Sequence, residues 1–244
     1  MTTMPVLPDG WTLTALDSVG STNDEAMRLA ETGGPEGTVV WAHEQTGGRG
    51  RRGRRWVSPL GNLYCSTILR PACAAPRAAE LGFVAALAVA DIVPAERDVR
   101  VKWPNDVLVD GGKIAGILPE SAIDQDGKAE HVVMGIGVNV GFAPRVPDMR
   151  YPGAMLGGTV EAALEKLTAA LARRLADWRR DGFEAVRAAW LAKAGPIGLD
   201  VDVKLGEELV RGRFAGIDRD GGLLLETSTG PRKIVAGEVL GRAA

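Results

Sequence analysis

Five arginines stand within seven residues, at positions 49, 51, 52, 54 and 55, interleaved with Gly48, Gly50 and Gly53 and closed by Trp56. A segment this cationic belongs on a surface, because unpaired charge is costly to bury. Its self-repulsion predicts that it lacks fixed structure until an anion meets its guanidinium forks and free N–H groups. Apolar runs on both sides, Thr38-Val39-Val40-Trp41-Ala42 before it and Asn62 to Leu69 after it, make it a loop between two strands.

The rest of the chain does not share this charge. Lys and Arg total 29 against 31 Asp and Glu in 244 residues, a net charge of −2, so no global field draws the protein to nucleic acid or anionic lipid, and any basic function is local. Hydrophobic residues at 45% supply a core. Cys65 and Cys73 are too few for a disulfide framework, and with His43 and His131 they would all be needed for one zinc site, so structural zinc is discounted. No Lys or Arg precedes Arg28 and no apolar leader stands near the start. The greasiest stretch, Leu81 to Ala90, is cut by Asp91 well short of the ~18 residues a membrane span needs. The expectation is a cytoplasmic protein with reduced thiols and no membrane partner.

Punctuation along the chain places the elements. Thr22-Asn23-Asp24-Glu25 reads as a capping box opening a helix that Gly33-Gly34-Pro35 closes. Pro76 introduces an Ala-rich helix, Arg77 to Ile92, apolar nearly all round and therefore buried. Val99 to Trp103 is a short strand stopped by Pro104. Val107-Leu108-Val109 and Ile114 to Leu118 flank the hairpin turn Asp110-Gly111-Gly112, which places Lys113 just past the turn. His131 to Val140 is another strand, Gly141 to Gly158 is a loop long enough to be functional, and Thr159 to Lys193 is helical with a break near Gly182. Short strands at 201–205, 209–217, 223–225 and 233–235 then predict a small all-β domain, dividing the chain into residues 1–195 and 196–244.

Gly48-Arg49-Gly50-Arg51-Arg52-Gly53 formally matches a dinucleotide fingerprint, but it opens no helix and has no acidic residue about 20 positions on. A phosphate loop ending at Lys113 fails too, since Val107 and Ile114 stand where Gly and Ser or Thr are required. Taken alone, the run leaves open a solvated basic loop or an Arg-Gly segment that folds on nucleic acid. Other polar points stand along the chain: Ser21-Thr22-Asn23, Gln45, Lys102-Trp103-Pro104-Asn105-Asp106, Gly112-Lys113 and Asn139 in Gly135-Ile136-Gly137-Val138-Asn139. Each has an ordinary structural explanation, as a cap, a strand end, a turn or a surface lysine. In this order and spacing, with the basic run, they resemble the biotin protein ligase family over nearly the whole chain.

That resemblance implies an α+β fold, a mixed β-sheet with helices of the class II aminoacyl-tRNA synthetase and biotin ligase type, followed by a small SH3-like β-barrel. It implies an enzyme that joins biotin to ATP as biotinoyl-5′-adenylate, releasing pyrophosphate, and passes the biotinoyl group to a lysine of a biotin carboxyl carrier domain. Magnesium would arrive with ATP, with no protein-built metal site. Carried over by motif, Ser21, Thr22, Asn23, Gln45, Gly48, Arg49, Gly50, Arg51, Lys113 and Gly116 would contact biotin. Arg49, Arg51, Arg52, Arg54, Trp56, Lys102, Asn105, Asp106, Lys113 and Asn139 would serve the nucleotide and adenylate. Lys113 and Arg51 would carry the charge chemistry, with Asp106 assisting deprotonation of the acceptor lysine, and Phe142 or Tyr151 would cover the adenine. Gly47 departs from the family's usual Ala without removing a functional group. The 20 residues before Ser21 are too short for the DNA-binding domain of some members, so DNA is not expected as a partner. A homodimer stays open. The alternatives are a lipoate or octanoate ligase of the same fold and the Arg-Gly nucleic-acid module.

Overall fold

The computed structural model describes residues 4–144 and 151–241. Its larger sheet has seven strands: β1 (Thr12–Val19), β2 (Thr38–Gln45), β3 (Leu63–Leu69), β4 (Val99–Lys102), β5 (Asp106–Val109), β6 (Gly112–Ile123) and β7 (Ala129–Val138). They lie in the order β1-β2-β3-β7-β6-β5-β4. The sheet is mixed, because β1 and β2 are parallel and joined by the crossover helix α1 (Thr22–Glu31), whereas every other pairing is antiparallel. β1 escaped the sequence reading: it is an edge strand whose residues are half-buried or exposed, so its alternation carries little apolar signal.

Strand alternation divides the residues between the two faces of this sheet. Cys65, Leu69, Val132, Met134, Ile136 and Ile117 point to one face, into a continuous core built with α3 (Glu80–Asp91) and α4 (Val160–Lys193). α3 is buried from Glu80 to Ala90 because it lies between sheet and α4, which explains its all-round apolar sequence. The single expected helix is in fact two, since the short α2 (Ala75–Ala78) holds Pro76 in its first turn. The opposite face carries α1, packed by Ala26 and Ala30 on Val40, Ile68 and Val133. There the expected capping box does not form: Ser21 is the N-cap, Thr22 is already helical, and Gln45 from β2 receives the Thr22 N–H at 2.9 Å.

The C-terminal strands β8 (Asp200–Leu205), β9 (Glu208–Ile217), β10 (Leu223–Thr227), β11 (Gly230–Ile234) and β12 (Glu238–Gly241) form a separate antiparallel sheet ordered β11-β10-β9-β8-β12. Trp103 joins the two sheets: it is buried, and its Nε1 donates to the Gly221 carbonyl at 2.9 Å. β12 was not anticipated, being four residues without a strong apolar run. Residues 145–150 of the loop expected from Gly141 to Gly158 lie outside the described residues, and its second half docks on the β5–β6 hairpin, with Lys113 N–H to Pro152 O at 2.8 Å and Ala154 N–H to Lys113 O at 3.0 Å.

α4 breaks where the sequence placed the break. Gly182 has φ 76° and ψ −176°, a conformation open essentially to glycine alone. Gly182→Ala is therefore expected to destabilise the protein by about 1–3 kcal/mol, read as a lower urea midpoint with an unchanged m-value.

Candidate active site

A cleft of about 600 Å³ opens on the α1 face of the large sheet. Its floor needs residues without side chains. Gly135 and Gly137 alternate along β7, and a Cβ at Gly135 would stand 2.1 Å from Asn23 Oδ1, one at Gly137 2.5 Å from Trp56 Nε1. Gly116 lies across the ladder from Gly137, under the same Trp56 ring. The period-two glycines in Gly135-Ile136-Gly137 were the available signal for this floor, and the sequence reading passed over them in favour of Asn139.

The inner end of the cleft is a polar network on α1. Ser21, Thr22 and Asn23 are buried in its first turn. Gln45 accepts from the Thr22 N–H and hydroxyl and donates to Ser58 Oγ at 3.0 Å. Ser66, which no motif had marked, lies under the network, 2.8 Å from Thr22 Oγ1 and 2.6 Å from Asn23 Oδ1. Gly48 lies just behind this end, where a Cβ would press to 2.5 Å on Ser58 Oγ.

The outer end is cationic. Lys113 Nζ is 2.7 Å from Asp106 Oδ1 and sits 5.3 Å from the Trp56 ring centroid, and Lys102 Nζ is 3.6 Å from the other oxygen of Asp106 and 4.6 Å from the ring centroid of Tyr151. Asp106 is mostly buried beneath the two lysines, with 18% of its side chain exposed. Burial opposes its ionisation, yet the lysines, Lys113 first, outweigh that cost and hold its pKa below the ordinary value. Asn105 donates from Nδ2 to the Ile117 carbonyl at 2.6 Å while its own carbonyl receives the Ile117 N–H, which fixes this turn against β6. Asn139 donates to the carbonyls of Lys113 and Ala154, both at 3.2 Å, and secures the Lys113 backbone.

Within the protein the basic loop meets counter-charges from other elements. Arg49 forks onto Asp24, at 2.7 and 2.5 Å, and Arg54 pairs with Glu238 of β12 at 2.6 Å. Arg51 to Gly53 form a single 3-10 turn, with Arg52 at φ 57°. Arg51 makes no ion pair among the described residues. It donates weakly to the carbonyl of Gly237 and to Asn105 Oδ1, and burial, with Arg52 beside it, pulls its pKa down. A partly desolvated guanidinium facing the cleft is primed for an anionic ligand. Gly50, Arg52, Arg55, Lys204 and Glu238 also line the cleft, so the C-terminal sheet contributes to its wall.

Of the expected site residues, Gly48 and Asp106 lie beneath the lining, Phe142 is exposed away from it, and the others, Tyr151 among them, reach the cleft itself. Trp103 in the Lys102–Asp106 segment turns away, into the contact between the sheets. Cys65 has no place in the chemistry: burial pushes its thiol up to about 12.

A mixed sheet whose glycine-floored face carries a polar pocket at one end and a lysine-arginine cluster at the other is the build of an acyl-group ligase, and residues 15–139 match the biotin/lipoate A/B protein ligase family. Residues 197–240 match the biotin protein ligase C-terminal domain. The chain belongs to the biotin protein ligase family. It is 43% identical to a biotin–[acetyl-CoA-carboxylase] ligase of Paracoccus denitrificans, over 90% of this chain and 96% of that protein. It is 31% identical to the bifunctional ligase/repressor BirA of Escherichia coli, over 97% of this chain and 76% of that protein. Among solved structures, the biotin protein ligase of Aquifex aeolicus in complex with biotin and ATP superposes with a TM-score of 0.77 at 28% identity, covering 93% of this chain and 97% of that one. No helix among the described residues is long and apolar enough to cross a membrane.

The Asp106 pair has a pH signature. Because its folded pKa is lowered, the stabilisation it contributes is complete above the ordinary carboxylate value of about 3.9 and is lost as pH falls through the folded value. Asp106→Asn should cost about 3 kcal/mol at neutral pH, the scale for removing one partner of a largely buried pair. In chemical unfolding at a series of pH values, the gap to wild type should close below about pH 4.

Proposed function

We propose that this chain activates biotin with ATP and transfers the biotinoyl group to a lysine of a biotin carboxyl carrier domain. One observation carries the proposal: Lys113, Lys102 and Arg51 converge on one end of a cleft whose other end is a neutral hydrogen-bonding pocket. A substrate with a polar neutral head and an anionic tail, meeting a polyanion, matches that polarity. Ser21, Thr22, Asn23 and Gln45 would hold the head, and Lys113 with Arg51 would meet the carboxylate and the α-phosphate.

In the first half, a carboxylate oxygen attacks the α-phosphorus, the bond to the β-phosphate oxygen breaks, and pyrophosphate leaves. Two unit charges ~4 Å apart repel by about 4 kcal/mol at an effective dielectric of ~20, close to three orders of magnitude in rate. Fixed cations cancel that repulsion and hold the line of attack, and no protein nucleophile is required. In the second half the acceptor amine attacks the acyl carbon, the bond to AMP breaks and AMP leaves, and the amine's proton passes to solvent. Asp106, ionised and engaged by two lysines, is suited to orienting Lys113 and poorly suited to receiving that proton. The carboxylates at the cleft, Asp106 and Glu238, are already paired with cations, and no group of three metal-ligating side chains occurs among the described residues. In this reading magnesium enters as part of the nucleotide substrate. The division at 195/196 assigns the chemistry to the first part and a share of the cleft wall, through Lys204 and Glu238, to the second.

The decisive assay is incubation with ATP, magnesium, labelled biotin and a carboxylase carrier domain, with label expected on one carrier lysine. Label transferred from lipoate in place of biotin would assign the other ligase specificity. Lys113→Met should lower biotin-dependent pyrophosphate exchange at least about 100-fold, the loss of one charge-assisted contact in the transition state, when assayed well below the thermal midpoint, which falls because Asp106 loses one partner. Amides of residues 49–56 should gain protection in hydrogen exchange when biotin and ATP are added, because the loop then exchanges weak internal ion pairs for substrate anions.

A further inference from the structure

One carboxylate oxygen ties the inner end of the cleft to the basic loop. Oε2 of Glu120, on β6, accepts from Asn23 Nδ2 at 2.5 Å and stands 3.5 Å from the Arg49 guanidinium. The contacts of the buried Asn23 amide agree on its orientation. Nδ2 donates to the Leu118 carbonyl at 3.2 Å and to Glu120, while Oδ1 faces the Ser66 hydroxyl at 2.6 Å. Both amide protons are thus used inside the protein, and what Asn23 has left for a ligand is an oxygen lone pair. The charged acceptor on Glu120 is the stronger of the two that hold this arrangement.

The same carboxylate acts on the loop. Arg49 forks onto Asp24, the residue next to Asn23, and Glu120 supplies a second negative charge from the facing strand. Each of these exposed pairs is weak by itself. Sharing one oxygen makes the orientation of Asn23 and the seat of Arg49 depend on one side chain.

We propose that Glu120 is a positioning residue: it fixes the Asn23 amide with its oxygen available to a donor on the substrate head and draws the first half of the basic loop, through Arg49, down over that end of the cleft. The part concerning Asn23 rests on the biotin reading given above, and the part concerning the loop does not.

Two variants separate the roles. Glu120→Gln keeps an oxygen acceptor for Asn23 and loses the charge, whereas Glu120→Ala loses both. Limited trypsin digestion of the full chain without ligands reports on the loop, because cleavage after Arg51, Arg52, Arg54 or Arg55 requires it to leave its seat. Both variants should be cut there about threefold faster or more, consistent with the loss of an exposed charge pair. In calorimetric titration with biotin, Glu120→Gln should bind within about threefold of wild type and Glu120→Ala about tenfold more weakly or worse, the effect of deleting a charged hydrogen-bond partner. A merely structural role would weaken both variants together and lower both thermal midpoints. Unchanged loop cleavage in both variants, or wild-type biotin affinity in Glu120→Ala, would overturn the proposal. If Glu120→Ala does not fold, Glu120→Gln decides: faster cleavage with biotin binding retained supports the proposal, and unchanged cleavage or a tenfold loss of binding defeats it. A wild-type chain that ignores biotin would sink the ligand reading, while the ligand-free digestion would still decide the seat of Arg49.

Discussion

A largely buried carboxylate between two lysines is what lets a cationic cleft exist before any anion enters it. Asp106 meets Lys113 at 2.7 Å and Lys102 at 3.6 Å, and without it two ammonium groups would face each other in a half-dry site. The backbone is built to hold that carboxylate still. Asp106 opens β5 at the end of a hairpin whose turn delivers Lys113, and Asn105 ties the preceding turn to Ile117 of β6. The lysines are thereby presented at fixed places on a rigid sheet, the arrangement that electrostatic preorganisation requires.

The basic loop extends the same logic to a segment that has no regular structure. Arg49 and Arg54 are neutralised by carboxylates from α1 and from β12, leaving Arg51 between them facing the cleft. The ion pairs are exposed and individually weak, so they can order the loop and still yield to a stronger anion. Because one of them comes from Glu238, the C-terminal sheet takes part in the cleft, and the buried Trp103 that clamps the two sheets together has a functional consequence although it turns away from the cleft. The fold and the family relationship agree on a biotin protein ligase, and the cleft is neutral and polar at one end and cationic at the other.

Much was legible from residues alone. Apolar runs located β2, β3 and β7, all-round apolar character identified α3 as buried, and the Asp110-Gly111-Gly112 turn set Lys113 just past the hairpin, because these features act through near neighbours in the chain. The polar points at 21–23, 45, 49–56, 102–106, 113 and 139 became candidates through their order and spacing, which resemble the biotin protein ligase family, and not through their local chemistry. What escaped was long-range. β1 and β12 are held by pairing partners more than by their own sequence. The helix start that looked self-capped is capped by Gln45, 23 positions away. Arg49 and Arg54 find Asp24 and Glu238, the latter 184 positions from Arg54. Glycine spacing marks where backbone can come close, but that Gly135 and Gly137 make room for Asn23 and Trp56 emerges only when β7 lies between β3 and β6. Local chemistry was therefore written residue by residue, whereas the counter-charges, the cleft floor and Glu120 came from folding, because Coulomb and contact forces act on distance in space and sequence separation says little about it.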